Sequence, residues 1–105
     1  MDPGMALPDR DRRYSVEERA SFQSDWRRGV AEGWINPMTD ATILATIREH
    51  LSRSPRAALY VTGWPDNVRA IRFPRSAIYE LSQVEMQYEI LEDDLIVWLM
   101  RIRPV

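Results

Sequence analysis

The sequence predicts an α+β domain in which two N-terminal antiparallel helices pack on an antiparallel meander of three or four strands. Three observations lead there. Apolar residues recur every fourth position as far as Pro55, then every second position, and the run Leu95 to Ile102 is almost unbroken apolar sequence. A helical period followed by a strand period, with no return to helix, describes segregated layers rather than alternating β-α-β units.

The first helix is expected after Ser15-Val16-Glu17-Glu18, which has the S-x-x-E form of a capping box. Phe22, Trp26 and Val30 form its stripe, flanked by Arg19, Asp25, Arg27 and Arg28, and the glycines at 29 and 33 bracket its end. Asn36 before Pro37, or Thr39 further on, is a start signal for a second helix carrying Ile43, Leu44, Ile47 and Leu51. Ser54-Pro55 stops it, because the residue before a proline is driven out of helical geometry.

Beyond Pro55, Leu59-Tyr60-Val61 leads to the turn cluster Gly63-Trp64-Pro65-Asp66-Asn67, and Val68 to Phe73 is a short strand that Pro74 ends or leaves on an edge. Val84, Met86, Tyr88 and Ile90 alternate with Glu85, Gln87 and Glu89, so one face of that strand is dry and the other wet. Glu92-Asp93-Asp94 turns the chain into the run from Leu95, expected as a central strand covered on both faces and hairpin-paired with residues 84 to 91.

The chain of 105 residues is a single domain, with residues 14 to 105 folded and residues 1 to 13 a flexible arm of prolines, glycine and alternating Asp and Arg. Sixteen acidic against fourteen basic residues leave a formal charge of −2, so any basic site must be local. All the basic residues are arginine, which excludes lysine Schiff-base and general-base chemistry. Zero cysteines exclude disulfides, thiol catalysis and thiolate-bound zinc, and the lone His50 excludes a histidine-rich metal site. No cofactor or metal is expected. No apolar run approaches the ~20 residues of a membrane span, and the start MDPGMALPDRDRR is not a signal peptide, so a cytoplasmic location is expected, and size and composition suggest a bacterial source.

Taken in order, EERASFQSDW, HLSRSP, GWPDN, VRAIRF and MQYEILEDDLIVWLMRI resemble the RelE/ParE superfamily of toxin-antitoxin toxins over about residues 17 to 103. The resemblance implies two helices before a curved antiparallel sheet and a protein antitoxin as partner. It also implies, for the ribosome-dependent members, mRNA cleavage by a group of basic residues assisted by a tyrosine or histidine near the C-terminus. Carried over by position, Arg69, Arg72 and Arg75 match the family's basic strand positions, and Arg101 or Arg103 the one on the last strand. The C-terminal tyrosine segment has no counterpart before Val105, and Met86-Gln87-Tyr88-Glu89 stands where the family has an arginine beside a tyrosine.

The candidates for phosphate or RNA contact are therefore Arg69, Arg72, Arg101 and Arg103; catalytic residues stay unassigned. Alternation puts Arg69 with Ile71 and Phe73 and turns Arg72 to the other face, whereas Arg101 and Arg103 share a face with Leu95, Val97 and Leu99. On residue type Tyr79, Tyr88, Glu85 and Glu89 could move protons, but their spacing selects none. His50 suits the C-terminal end of its helix, where an imidazolium complements the dipole. Trp26 and Trp98 fall on core positions, while Trp34, Ile35 and Met38, with Trp64 in its own turn, form candidate contacts for a protein partner. Two readings of function stay open: a RelE/ParE-like toxin, an endoribonuclease if it is an enzyme, that acts on RNA or the ribosome and is held by an antitoxin; or a non-catalytic immunity or inhibitor protein docking on a target enzyme.

Overall fold

A computed structural model describes residues 13–57, 59–60, 64–65, 67–73 and 83–105, with Leu59 and Tyr60 described by backbone alone. The expectations placed on Arg75, Tyr79, Pro74 and the arm up to residue 12 lie outside the described residues. The order of elements is β1 (Ser15–Glu18), α1 (Ala20–Glu32), α2 (Asp40–Arg53), a 3-10 turn (Pro55–Ala57), β2 (Leu59–Tyr60), β3 (Val68–Phe73), β4 (Val84–Leu91) and β5 (Ile96–Pro104). The strands form one five-stranded sheet in the order β1-β5-β4-β3-β2, antiparallel except where β1 runs parallel to β5.

The α+β class and the two helices on a meander are as the sequence predicts, but the helices are not N-terminal: they lie between the first two strands. Ser15 to Glu18, expected as a capping box, is strand β1, and Ser15 Oγ donates to the Glu17 carboxylate instead of accepting from a helix N–H. The physical reason is β5. As the most apolar strand it needs a hydrogen-bonding neighbour on each side, and a buried strand edge left bare costs more than a missing helix cap. The cap residue of α1 is then Arg19, with no side-chain bond at the helix start.

Helix α1 ends where expected, at Gly33 in the left-handed conformation (φ 85°), whose N–H reaches the Val30 carbonyl. Inside the helix Gly29 is buried, and a Cβ there would stand 2.7 Å from Ile35 Cδ1 and 2.8 Å from the Trp34 ring. The chain that leaves α1 folds back over this glycine, and Ile35 N–H bonds to its carbonyl. Helix α2 starts after Thr39, preceded by an Asn36 side chain that accepts from Met38 N–H. Its Ile43, Ile47 and Leu51 are buried together with Phe22, Trp26, Val84, Met86, Tyr88, Ile90, Val97, Leu99 and Ile102. Among the described residues no helix is long and apolar enough to cross a membrane.

Both helices cover the same side of the sheet, the side carrying β4 residues Val84, Met86, Tyr88 and Ile90. They also close its margins. Arg48 of α2 donates to the Val16 carbonyl on β1, and beyond the end of β1 the helix α1 takes over along β5: Arg19 N–H bonds to Leu99 O, Ser21 Oγ to Met100 O, and Asp25 accepts from Ile102 N–H. Side chains and a helix start thus finish the pairing that a longer β1 would supply.

Candidate functional site

Among the described residues no helix lies on the opposite side of the sheet, and pairing registers sort the residues there into rows. Arg72, Glu85 and Arg103 face one another across β3, β4 and β5; the next row is Ala70, Gln87 and Arg101; then Val68, Glu89, Trp98 and Glu17; then Leu91, Ile96 and Ser15. Charge gathers at the C-terminal end of β5, an indole stands in the middle, and apolar residues fill the far end.

The rows depend on one irregularity. Gln87 pairs with Arg101 but Tyr88 with Leu99, so Met100 is an extra residue in β5, a β-bulge. It reverses the alternation. Arg101 and Arg103 share a face with each other, as expected, but not with Val97 and Leu99; Ile102 joins those two in the core. Uninterrupted alternation would have turned both arginines toward the helices. The run is also covered less fully than expected, since Ile96, Trp98 and Met100 are only half-buried.

Arg69 and Arg72 lie on opposite faces because β3 pairs with β4 without a bulge. Arg69 stands in register with buried Tyr88 on the helix side, whereas Arg72 is on the open side. The structure therefore brings together Arg72, Arg101 and Arg103 and separates Arg69 from them.

Each of these three arginines of the open face is paired with a carboxylate. Arg103 donates from Nε and Nη2 to Glu85 Oε1 at 3.1 and 2.6 Å, and Arg72 Nε donates to Glu85 Oε2 at 3.3 Å. Hydrogen bonding from Arg103, followed by that from Arg72, outweighs the desolvation of Glu85 and holds its carboxyl below the usual value. Arg101 reaches sideways to Asp25 with Nε at 2.8 Å and Nη2 at 3.0 Å. Asp25, 3% exposed, also accepts from Ile102 N–H and Arg28. Burial raises the Asp25 carboxyl, but the bonds from Arg101 and Ile102 and the nearby charges outweigh it, so it too sits below its usual value. Arg101 is correspondingly raised by the same bond.

Arg19, at the start of α1, lays its guanidinium over the Trp98 ring, 4.1 Å from the centroid, and approaches Glu89 at 3.8 Å. Trp98 was expected in the core; it lies on the open face instead, because Leu99 takes the inward position. Asp25 and Arg19 are the functional neighbours that sequence reasoning missed. Asp25 had a signal: expected as a flanking residue, it lies three residues after Phe22 and so on the same face of the helix, where a surface acid does not belong.

The tryptophan patch also changes. Trp34 and Ile35 are buried, at 8% and 0% exposure, because they pack onto Gly29; only Met38 of that trio is exposed, at 88%. Trp64 is half-buried in its turn. Tyr88 is buried and its hydroxyl donates to the Pro55 carbonyl at 2.5 Å, which fixes the end of α2 against the sheet and removes that phenol from solvent. His50 is exposed on α2, beside an open hollow of about 670 Å³ lined by Ala41, Thr42, Ala45, Thr46, Glu49 and Arg53, on a surface away from the arginine rows. Among the described residues no three of His, Cys, Asp or Glu converge as ligands for a metal ion.

Comparison with solved structures shows that the chain has the fold of the RelE toxins. The chain superposes with a TM-score of 0.68 on a structure of the toxin-antitoxin complex RelBE2 from Mycobacterium tuberculosis, at 16% identity over 93% of this chain and 98% of that one. For the isolated Escherichia coli RelE toxin the TM-score is 0.60, at 16% identity over 88% of this chain and 84% of that one. For the intact Escherichia coli RelBE complex it is 0.61, at 17% identity over 88% and 96%. No protein-family model matches the sequence, and no curated protein matches it.

Proposed function

We propose that this chain is a RelE-like toxin of a bacterial toxin-antitoxin pair, acting in the cytoplasm on an RNA-containing target and neutralised by a protein antitoxin. The observation that carries the reading is the coincidence of two features. The fold matches that of RelE toxins over about nine-tenths of the chain, and the sheet face opposite α1 and α2 gathers Arg72, Arg101 and Arg103 in adjacent rows. Arginine forks on an open sheet are suited to phosphate oxygens.

If the chain cleaves RNA, the arginines stabilise charge on the phosphorane, and the proton must be moved by another group. Tyr88 is committed to Pro55 and His50 lies on another surface, which leaves Glu17, Glu85 and Glu89 as the described ionisable groups on this face that could serve. Met38 and Trp64 remain candidate contacts for the protein partner; the proposed role of Arg69 is narrowed to the helix side of the sheet.

A second reading is favoured by a specific observation: the face neutralises its own arginines with Glu85, Glu89 and Asp25. A non-catalytic immunity or inhibitor protein would show the same internally balanced surface. Induction in growing bacteria separates the two. Growth arrest by the wild type, relieved in an Arg72→Ala/Arg103→Ala variant that still accumulates in folded form, is the expected result. No arrest by the wild type would sink the toxin reading and leave the interaction-protein reading standing.

A further inference from the structure

The row Arg72, Glu85, Arg103 is built differently from a pair of surface salt bridges. The three residues are in direct cross-strand register, and each oxygen of one carboxylate has its own arginine. The carboxylate is 15% exposed, whereas the Arg72 and Arg103 side chains are 59% and 64% exposed. Neighbouring strands lie ~4.8 Å apart, so the two arginine backbones stand ~10 Å apart with the glutamate midway. Two forks converging from either side on one point, with two positive charges against one negative, is an arrangement that accepts the oxygens of a phosphate group.

We propose that Arg72 and Arg103 form a seat for a phosphate group and that Glu85 fills it as a built-in occupant, so that a phosphate ligand binds by exchange with the glutamate. The two arginine side chains are more than half exposed, so an incoming anion reaches both guanidiniums, and one of higher charge competes well for them once Glu85 rotates away. The neighbouring arginines do not belong to the seat. Arg101 is held by both oxygens of the buried Asp25 carboxylate, and Arg19 lies on the Trp98 ring. The seat therefore discriminates among arginines that sequence treats alike: among the described residues only those two answer to Glu85.

The inference deepens the RNA-directed reading by naming a phosphate contact and what restrains it, but it concerns binding alone and is tested without reference to toxicity. The full chain is prepared as wild type, Glu85→Gln, Arg72→Ala/Arg103→Ala, and the triple variant, each checked for folding by thermal unfolding. Binding is read by anisotropy of a fluorescein-labelled oligouridylate and by calorimetric titration of inorganic pyrophosphate. Glu85→Gln is expected to tighten binding about tenfold, the size of one charge-assisted contact. It should also steepen the dependence of log affinity on log salt by about one for the RNA. The triple variant should lose the whole gain.

A gain with both probes assigns the seat to phosphate groups in general, one with RNA alone assigns it to the phosphodiester backbone, and one with pyrophosphate alone assigns it to free phosphates. Glu85→Gln binding both probes no more tightly than wild type overturns the proposal, as does a gain that survives in the triple variant. Should the alanine variants fail to fold, Arg72→Gln/Arg103→Gln makes the same comparison with the aliphatic stems kept in place. Absence of growth arrest in cells would remove the toxin reading and leave this outcome unaffected.

Discussion

The two faces of strand β4 follow opposite rules within eight residues. On the helix side Val84, Met86, Tyr88 and Ile90 are at most 1% exposed, and the one polar group among them, the Tyr88 hydroxyl, is bonded to Pro55. On the open side Glu85, Gln87, Glu89 and Leu91 are half-buried, and the charged ones are tied to arginines. Hydrophobic burial makes the first face responsible for stability. The second face is held by exposed ion pairs that contribute little to folding, so its groups can exchange partners without unfolding the domain. The molecule separates what keeps it folded from the charged surface on its other side.

The sharpest test of that division is on the dry side. Met86→Ala should cost about 2–5 kcal/mol, measured by urea denaturation, and a loss under 1 kcal/mol would show that the helix side is not the stabilising one. Gly29→Ala comes next: its new Cβ meets Ile35 and the Trp34 ring, and overpacking of this kind costs about 1–3 kcal/mol, partly offset by ~1 kcal/mol of better helix propensity. A variant as stable as the wild type would mean that the segment after α1 lifts away easily.

Asp25 joins the two regions, since it holds Arg101 from the open face and the Ile102 N–H at the strand margin. Asp25→Ala leaves that N–H without its acceptor and should cost about 1–3 kcal/mol. The same group sets an acid limit. The folded carboxyls of Asp25 and Glu85 lie below their ordinary values of 3.8 and 4.5. As the pH falls, the unfolded chain therefore takes up protons first. Their contribution is complete above those ordinary values and fades as acid carries the solution down through the lowered ones. The thermal midpoint should fall on acidification in that window, less steeply for Asp25→Asn; parallel curves would remove Asp25 from the account. The smallest effect is expected on the open face, where Arg103→Ala should change stability by no more than ~1 kcal/mol. A larger loss would erase the contrast between the faces.

Much of this was legible in the sequence, and the parts that were not have a common cause. The alternation of β4 and the stripes of α1 and α2 are local patterns, and the helix ends at Gly33 and Ser54 follow from local chemistry. Ser15 to Glu18 carries two local signals, and the choice between them was made by β5, eighty residues away, which needs a neighbour. The site was half visible. Arginine parity on β3 could be counted because that strand is regular, but on β5 the count failed at Met100. Nothing in Leu99-Met100-Arg101 marks a bulge, because the extra residue is accommodated through contacts with Ser21 and Asp25 on α1. The pairing of Arg101 with Asp25 could not be read for the same reason.

The bulge also bears on how this chain is compared with others. A relative whose last strand lacks the extra residue will line up without a gap through Leu99 and then run one position out of phase, setting its core residues against Arg101 and Arg103 and its outward residues against Ile102. A single gap placed at Met100 restores the phase. Structural superposition finds that gap without effort; letter-by-letter comparison has no reason to open it, and loses the end of the chain where the arginines are.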